Sequence, residues 1–178
     1  MDIVVPDEFK YLYVHSAARP ILKVPNEVLR QPAREITRIA PKHGKLIDDM
    51  IRMMRMANGI GLAAPQIGVL ERIVVIAPTG MRPTPLVNPV ITEREGSMIG
   101  QEGCLSIPGL YGDVERAARV TVEAFDRKGR PIAFEMEGMP ARVVQHEIDH
   151  LDGILFIDRV DEATLHWQHP DGSSDEAE

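Results

Sequence analysis

Two stretches of the chain place apolar side chains at helical spacing. Between Ala40 and Asn58, Ile47, Met50, Ile51 and Met54 recur every three or four residues with Met53 beside them, which predicts an amphipathic helix. Pro41 suits its first turn and Asn58-Gly59 its end. Met139 to Leu151 predicts a second helix, with Val144, Ile148 and Leu151 as its buried stripe. Apolar runs and period-two alternation predict strands over 72–77, 86–94 (broken at Pro89), 119–126 and 131–138, and a short final strand over 154–157. Asp126-Arg127-Lys128-Gly129 predicts a hairpin turn, and Pro78 to Pro85 a turn-rich loop. Asn26 is placed to cap a short helix that Pro32 ends. The order is helix, helix, several strands with hairpins, helix. That is an α+β pattern rather than alternating βαβ. Residues 1–18 have no clear period and read as an edge strand or an arm.

The 178 residues, 44% hydrophobic and 26% charged, suit one globular domain with a core of its own. Apolar runs reach only about five residues, too few to span a bilayer. The start, MDIVVPDEFK, lacks the basic region and long apolar stretch of a secretory signal. The single cysteine, Cys104, excludes an internal disulfide framework and fits a reducing compartment. The net charge of −7 is unevenly spread. From Arg159 to Glu178, six acids against one base give −5, leaving −2 for the other 158 residues. A nearly neutral body argues against direct nucleic-acid binding. The end, HPDGSSDEAE, has nothing to bury and is expected to be disordered. These readings divide the chain into an N-terminal extension (1–18), a single catalytic domain (19–160) and an acidic tail (161–178).

The strongest chemical signal is His146-Glu147-x-x-His150 inside the second helix. Positions i and i+4 share one helix face, so two imidazoles can bind one metal ion there. Glu147, angled aside, can act as general base on a water that the metal binds. The flanking apolar stripe gives the pair a rigid support. Two histidines leave a site incomplete, since a catalytic site of this kind usually has three protein ligands and one open position. Downstream candidates are Asp152, Asp158, Asp161, Glu162, His166 and His169. The upstream one is Cys104 in EGCLSIPG (102–109), where a thiolate suits Fe(II), Zn(II), Co(II) or Ni(II). A third stretch, GIGLAAPQIG (59–68), is neither a Walker A loop nor a dinucleotide fingerprint. It reads as a tight loop, or as a wall that meets a peptide, with Gln66 offering an amide N–H.

Taken together, GIGLAAPQIG, EGCLSIPG and QHEIDHLDG, in this order and spacing, resemble the peptide deformylase family. Weaker echoes lie in PNEVLR (25–30) and LVNPVI (86–91), and the resemblance runs from about Arg19 to Asp158. It implies an α+β fold in which the HExxH helix is surrounded by small, mainly antiparallel sheets. The implied activity is hydrolysis of the formyl group from the N-terminal formyl-methionine of newly made polypeptides. It implies Cys104, His146 and His150 as metal ligands, with Fe(II) the expected ion and Zn(II), Ni(II) or Co(II) as alternatives. Glu147 is then general base and acid. Gln66 and the Leu105 N–H polarise the formyl oxygen, Gly61 binds the substrate backbone, and Ile60 and Glu102 line the methionine pocket or its entrance.

The chain also departs from the family pattern. Tyr111 stands where many bacterial members carry an arginine that meets the substrate chain, while Arg116 remains. The acidic C-terminus does not support docking on the ribosome through a basic terminal helix. Arg142 reads as a salt-bridge partner or a pocket edge, and Asp149 and Asp152 either as groups that orient the histidines or Arg116, or as surface or capping residues. The expected partners are nascent N-formylmethionyl peptides, with no membrane, and the expected compartment is a bacterial cytoplasm.

Overall fold

In the computed structural model, which describes residues 1–170, the first predicted helix runs Pro41–Met56 (α1). Ile47, Met50 and Met54 are buried as the period requires, and His43 joins them. The imidazole of His43 reaches back to accept the Ala40 amide at 2.8 Å, as the third residue of a capping box does. Asn58 takes a left-handed conformation just after the helix ends.

The chain then runs through β1 (Gly61–Ala63), a 3-10 turn over Ala64–Ile67, β2 (Ile73–Ile76) and β3 (Thr84–Glu95). Next come β4 (Met98–Cys104), β5 (Ile107–Arg116), β6 (Arg119–Phe125) and β7 (Pro131–Glu137). The second predicted helix follows as α2 (Met139–Leu151), and β8 (His166–Trp167) is the last strand described. Two antiparallel sheets result, ordered β1-β2-β3-β6-β7 and β4-β5-β8. Mixed helices and antiparallel sheets match the α+β reading.

β2 shows why its sequence is apolar at every position. Val74 and Ile76 pack with Val144 and Leu151 of α2, whereas Ile73 and Val75 pack with Ile47 and Met50 of α1. Alternate side chains leave opposite faces of a strand, and here a helix covers each face. A third cluster, including Ile107, Val114 and Phe156, lies under the smaller sheet.

Several expectations needed revision. The hairpin β4–β5 was not predicted from hydrophobic period, because its inward positions include Gly100, Glu102 and Cys104 rather than large apolar residues. The break at Pro89 is a register shift between Val87 and Val90 within a longer strand. Asn88 takes φ +49° there, and its side-chain amide bonds both the N–H and the C=O of Ile36 at 2.9 Å. Residues 154–157 do not form a strand. A 3-10 turn over Phe156–Asp158 replaces it, because Asp158 accepts the Leu155 N–H at 2.9 Å.

Both ends of the described chain differ from a plain extension and a tail. Asp7–Tyr13 is a 3-10 turn whose Phe9 is buried, with ring centroids 5.1 Å from Trp167 and 4.5 Å from His169. The acidic tail was expected to begin at 161, yet Asp161 caps a turn over Glu162–Thr164 and Trp167 pairs with Leu110 of β5. The apolar bulk of Trp167, hidden in an acidic average, is what holds this segment down. Residues 171–178, where most of the expected disorder fell, lie outside the described residues. If the N-terminal turn is packed as described, Phe9→Ala lowers unfolding free energy by about 3 kcal/mol in urea titration; a loss under about 0.5 kcal/mol, typical of a surface position, would contradict that packing.

Candidate metal centre

α2 is buried on nearly every side, and its polar residues therefore need partners. Gln145 bonds the N–H and C=O of Ala117 and the carbonyl of Ala141 one turn back. Asp149 takes Arg116 at 2.5 Å and Arg159 at 2.6 Å. Arg142 donates to Glu102 at 2.9 Å, to Val114 O and to Met98 O. The salt-bridge reading of Arg142 and the reading of Asp149 as a partner of Arg116 both describe this arrangement. Asp152 instead pairs with Arg72, away from the histidines.

The facing hairpin supplies the other half of the site. On β4 the alternation of a strand puts Gly100, Glu102 and Cys104 on one face, toward α2. At Gly100 an added Cβ would lie 3.1–3.2 Å from the Arg142 guanidinium, so the absent side chain leaves room for that group. Glu102 binds Arg116 through both carboxylate oxygens, at 2.8 and 3.0 Å, and one of them accepts from Arg142. The other lies 2.9 Å from Nδ1 of His146. Burial works against ionising Glu102, but hydrogen bonds from Arg116 and His146 outweigh it and hold the carboxyl well below the usual range. Glu102 borders the cleft, yet both its oxygens are committed to the protein. The expectation placed it at the methionine pocket or its entrance, and it does line the cavity.

Two residues on, Cys104 Sγ lies 3.4 Å from Nε2 of His150. Among the described residues, Cys104, His146 and His150 are the group of three whose ligand atoms all lie within 4.8 Å of one another. Bonds of about 2.3 Å to sulfur and 2.0–2.1 Å to nitrogen, meeting at a tetrahedral angle, separate the two atoms by about 3.6 Å. The observed spacing fits one ion. His146 turns Nδ1 to Glu102, which leaves Nε2 as its ligand atom. Burial holds the pKa of His150 well below its ordinary value, so the ring is neutral, the form that ligates. Burial opposes charging His146 as well, but its bonds to Cys104 and Glu102 prevail and raise its pKa. The downstream candidates do not join the cluster. Asp158 pairs with Arg30, and His166 is exposed on β8, its ring 6.1 Å from that of Tyr111.

Glu147 is buried, and its Oε2 has no hydrogen-bond partner among the described residues. Burial pushes its pKa up to about 7; a cation bound beside it would pull that value down. The backbone of Gly61 passes so close that a Cβ there would lie 2.3 Å from Oε1 of Glu147. Glycine at 61 is thus what lets β1 reach the carboxylate.

Gln66 is fixed as tightly. Its Oε1 accepts the Ala63 N–H at 2.9 Å, which turns Nε2 toward Ser106 Oγ at 3.1 Å and Cys104 Sγ at 3.8 Å. Ser106 is buried, and nothing in the sequence reading pointed to it. Leu105 and Ser106 form the turn of the hairpin, and Leu105 packs against Gly59, where a Cβ would come within 2.6 Å of it. Ile60, Gly61, Gln66, Cys104, Leu105 and Glu147 all border one cavity of about 690 Å³, as does Tyr111.

A Cys/His/His cluster with a buried carboxylate beside it, opening on a cleft, defines the centre of a metal-dependent hydrolase. The family model for polypeptide deformylase matches residues 18–166, and the chain belongs to that family. A peptide deformylase of Desulfitobacterium hafniense is 51% identical over 139 residues, covering 78% of this chain and 92% of its own. One from Alkalilimnicola ehrlichii is 52% identical over 145 residues, covering 80% and 82%. The crystal structure of a peptide deformylase from Legionella pneumophila superposes with a TM-score of 0.78 at 44% identity, over 82% of this chain and 87% of that one. Members of the family are enzymes that remove N-formyl groups from nascent peptides, with a metal as cofactor.

The buried network gives a direct test. Glu102→Ala leaves the Arg116 and Arg142 guanidinium groups without their shared carboxylate. We expect a loss of about 3–5 kcal/mol in unfolding free energy, measured in urea. A change below about 1 kcal/mol would show that the network relaxes without cost.

Proposed function

We propose that this chain hydrolyses the formyl group from the N-terminal formyl-methionine of newly made polypeptides, with Fe(II) held by Cys104, His146 and His150. The observation that carries this reading is Cys104 Sγ lying against His150 Nε2 while an unpartnered oxygen of Glu147 sits in the same buried site. The donor set, one thiolate and two imidazoles, also suits Zn(II), Ni(II) and Co(II). When bound, such an ion lowers the pKa of a coordinated water toward about 7 and polarises an amide carbonyl.

The rest falls to the residues of this chain. Glu147 accepts a proton as the water oxygen adds to the formyl carbon. It returns the proton to the amine nitrogen as the C–N bond breaks, so formate and a free N-terminus leave. Gln66 Nε2 and the Leu105 N–H donate to the formyl oxygen as it gains negative charge. One preorganised donor of this kind is worth about 3–4 kcal/mol, and the bond from Ala63 fixes which end of the Gln66 amide faces the site. The exposed Ile60 and the backbone of Gly61, on the edge strand β1, supply apolar surface and hydrogen bonds for the methionyl residue. Glu102 acts by holding His146 rather than by touching substrate. The peptide-binding unit is built mainly on residues 19–160, in the cytoplasm of a bacterium. Among the described residues no helix is long and apolar enough to cross a membrane.

Anaerobic formate release from a formyl-Met peptide by Fe(II)-loaded protein tests the reading, and no release above the metal-free control would overturn it. Glu147→Gln retains metal by elemental analysis and loses about 10²–10⁴-fold in kcat. Unchanged turnover would remove its assigned role. Cys104→Ala lowers metal content and activity together, whereas His166→Ala leaves both near wild type; the opposite pattern would make the third ligand a downstream residue.

A further inference from the structure

Part of the wall of the active-site cavity comes from outside the matched family region. Leu12 and Pro170 line the cavity, together with Arg19, Ile60 and Tyr111, yet neither falls within residues 18–166. Specific contacts hold them there. Phe9 seats on Gly109 of β5, which takes φ +87° and where a Cβ would come within 2.7 Å of the ring. Phe9 in turn stacks on His169, and the Tyr11 hydroxyl lies 3.3 Å from His169 Nδ1. Tyr13 donates to the carbonyl of Pro108 at 3.1 Å, on the segment that carries Cys104.

The chain then doubles back. Ser16 and Arg19 exchange backbone hydrogen bonds at 2.9 and 3.3 Å. Leu22 N–H donates to Gln66 O at 2.8 Å, and Val24 N–H to Ser106 O at 3.0 Å. The N-terminal arm is therefore sewn to the two segments that build the site, and the C-terminal strand clasps it from the other side. Arg19 donates to the Tyr11 carbonyl, and its guanidinium carbon lies 5.7 Å from the centroid of the Tyr11 ring. The charged residues that line the cavity divide clearly. Glu102, Arg142 and Glu147 are buried, and Lys23 is half-buried with its ammonium on Ile21 O at 2.6 Å. Arg19 is the exposed one.

We propose that this clasp of the two chain segments is a subsite for the third residue of the substrate, and that Arg19 makes it favour an acidic side chain there. The proposal rests on the deformylase reading of the cavity. A cavity of about 690 Å³ is larger than a formyl-methionyl group needs. An extended peptide advances about 3.3–3.6 Å per residue, so its third residue leaves the buried centre for the outer wall. The charge it meets on that wall is the exposed guanidinium of Arg19, whose partners are the Tyr11 carbonyl and ring rather than a carboxylate among the described residues.

The test compares kcat/KM for formyl-Met-Ala amide, formyl-Met-Ala-Asp amide and formyl-Met-Ala-Lys amide, on metal-loaded wild type and Arg19→Glu. An exposed ion pair is worth up to about 1 kcal/mol, so wild type favours the Asp peptide over the Lys peptide by about two- to fivefold. The ratio inverts in Arg19→Glu, falls to near one in Arg19→Gln, and shrinks at 1 M salt as the pair is screened. Formyl-Met-Ala amide is turned over equally by all three proteins. The same Asp-to-Lys ratio in wild type and both variants would overturn the proposal. Absence of turnover of formyl-Met-Ala amide by wild type would instead overturn the deformylase reading itself.

Discussion

One buried carboxylate joins the two halves of this molecule. Cys104 belongs to the small sheet, while His146 and His150 belong to the helix packed on the large one, and nothing in the backbone connectivity fixes the distance between them. Glu102, two residues before the cysteine on the same strand face, grips Arg116 on the neighbouring strand, Arg142 on the helix and the ring of His146. Removing charges from water costs several kcal/mol each, and a buried set persists only if nearly every donor and acceptor is satisfied. That requirement is what makes the network geometrically exacting. The hairpin has one position against the helix in which all the partners meet, and that position brings the sulfur to the imidazoles.

The same economy of space governs the far side of the cleft. Glu147 is reached by a strand that has no side chain at 61, and Gln66 is held at its oxygen so that only its nitrogen faces the cysteine. Gln66 is thus given a single orientation before any substrate arrives. Preorganised dipoles cost no reorganisation during reaction, which is why such sites are rigid where loops elsewhere are not.

The sequence was legible where burial is uniform. α1, α2 and β2 follow from period and apolar runs, because water exclusion there acts on hydrocarbon alone. It was illegible along β4–β5, where the buried face is glycine, glutamate and cysteine, a pattern that resembles an exposed loop when read by hydropathy. The HExxH spacing offered two candidate ligands without help, since a helix fixes the relation of i to i+4. Cys104, which joins them in one cluster, lies 46 residues away from His150, and local spacing could only offer it as one candidate among several. Glu102 was legible as a pocket residue but not as the hub of an ion network, because its partners come from a neighbouring strand and from a helix some 40 residues on. Ser106 and the clasp of Phe9, Trp167 and His169 had no periodic signal at all, being contacts made by single side chains.

The placing of these three residues on a hairpin and a helix has a mechanical meaning. An ion held by Cys104, His146 and His150 is also a cross-link between the hairpin and the helix, one that closes a loop of the chain much as a disulfide does. The protein has a single cysteine and so no covalent staple of its own. An ion bound there would double as a tie between the small sheet and the helix packed on the large one. Without it, the hairpin rests on the helix through the Glu102 network.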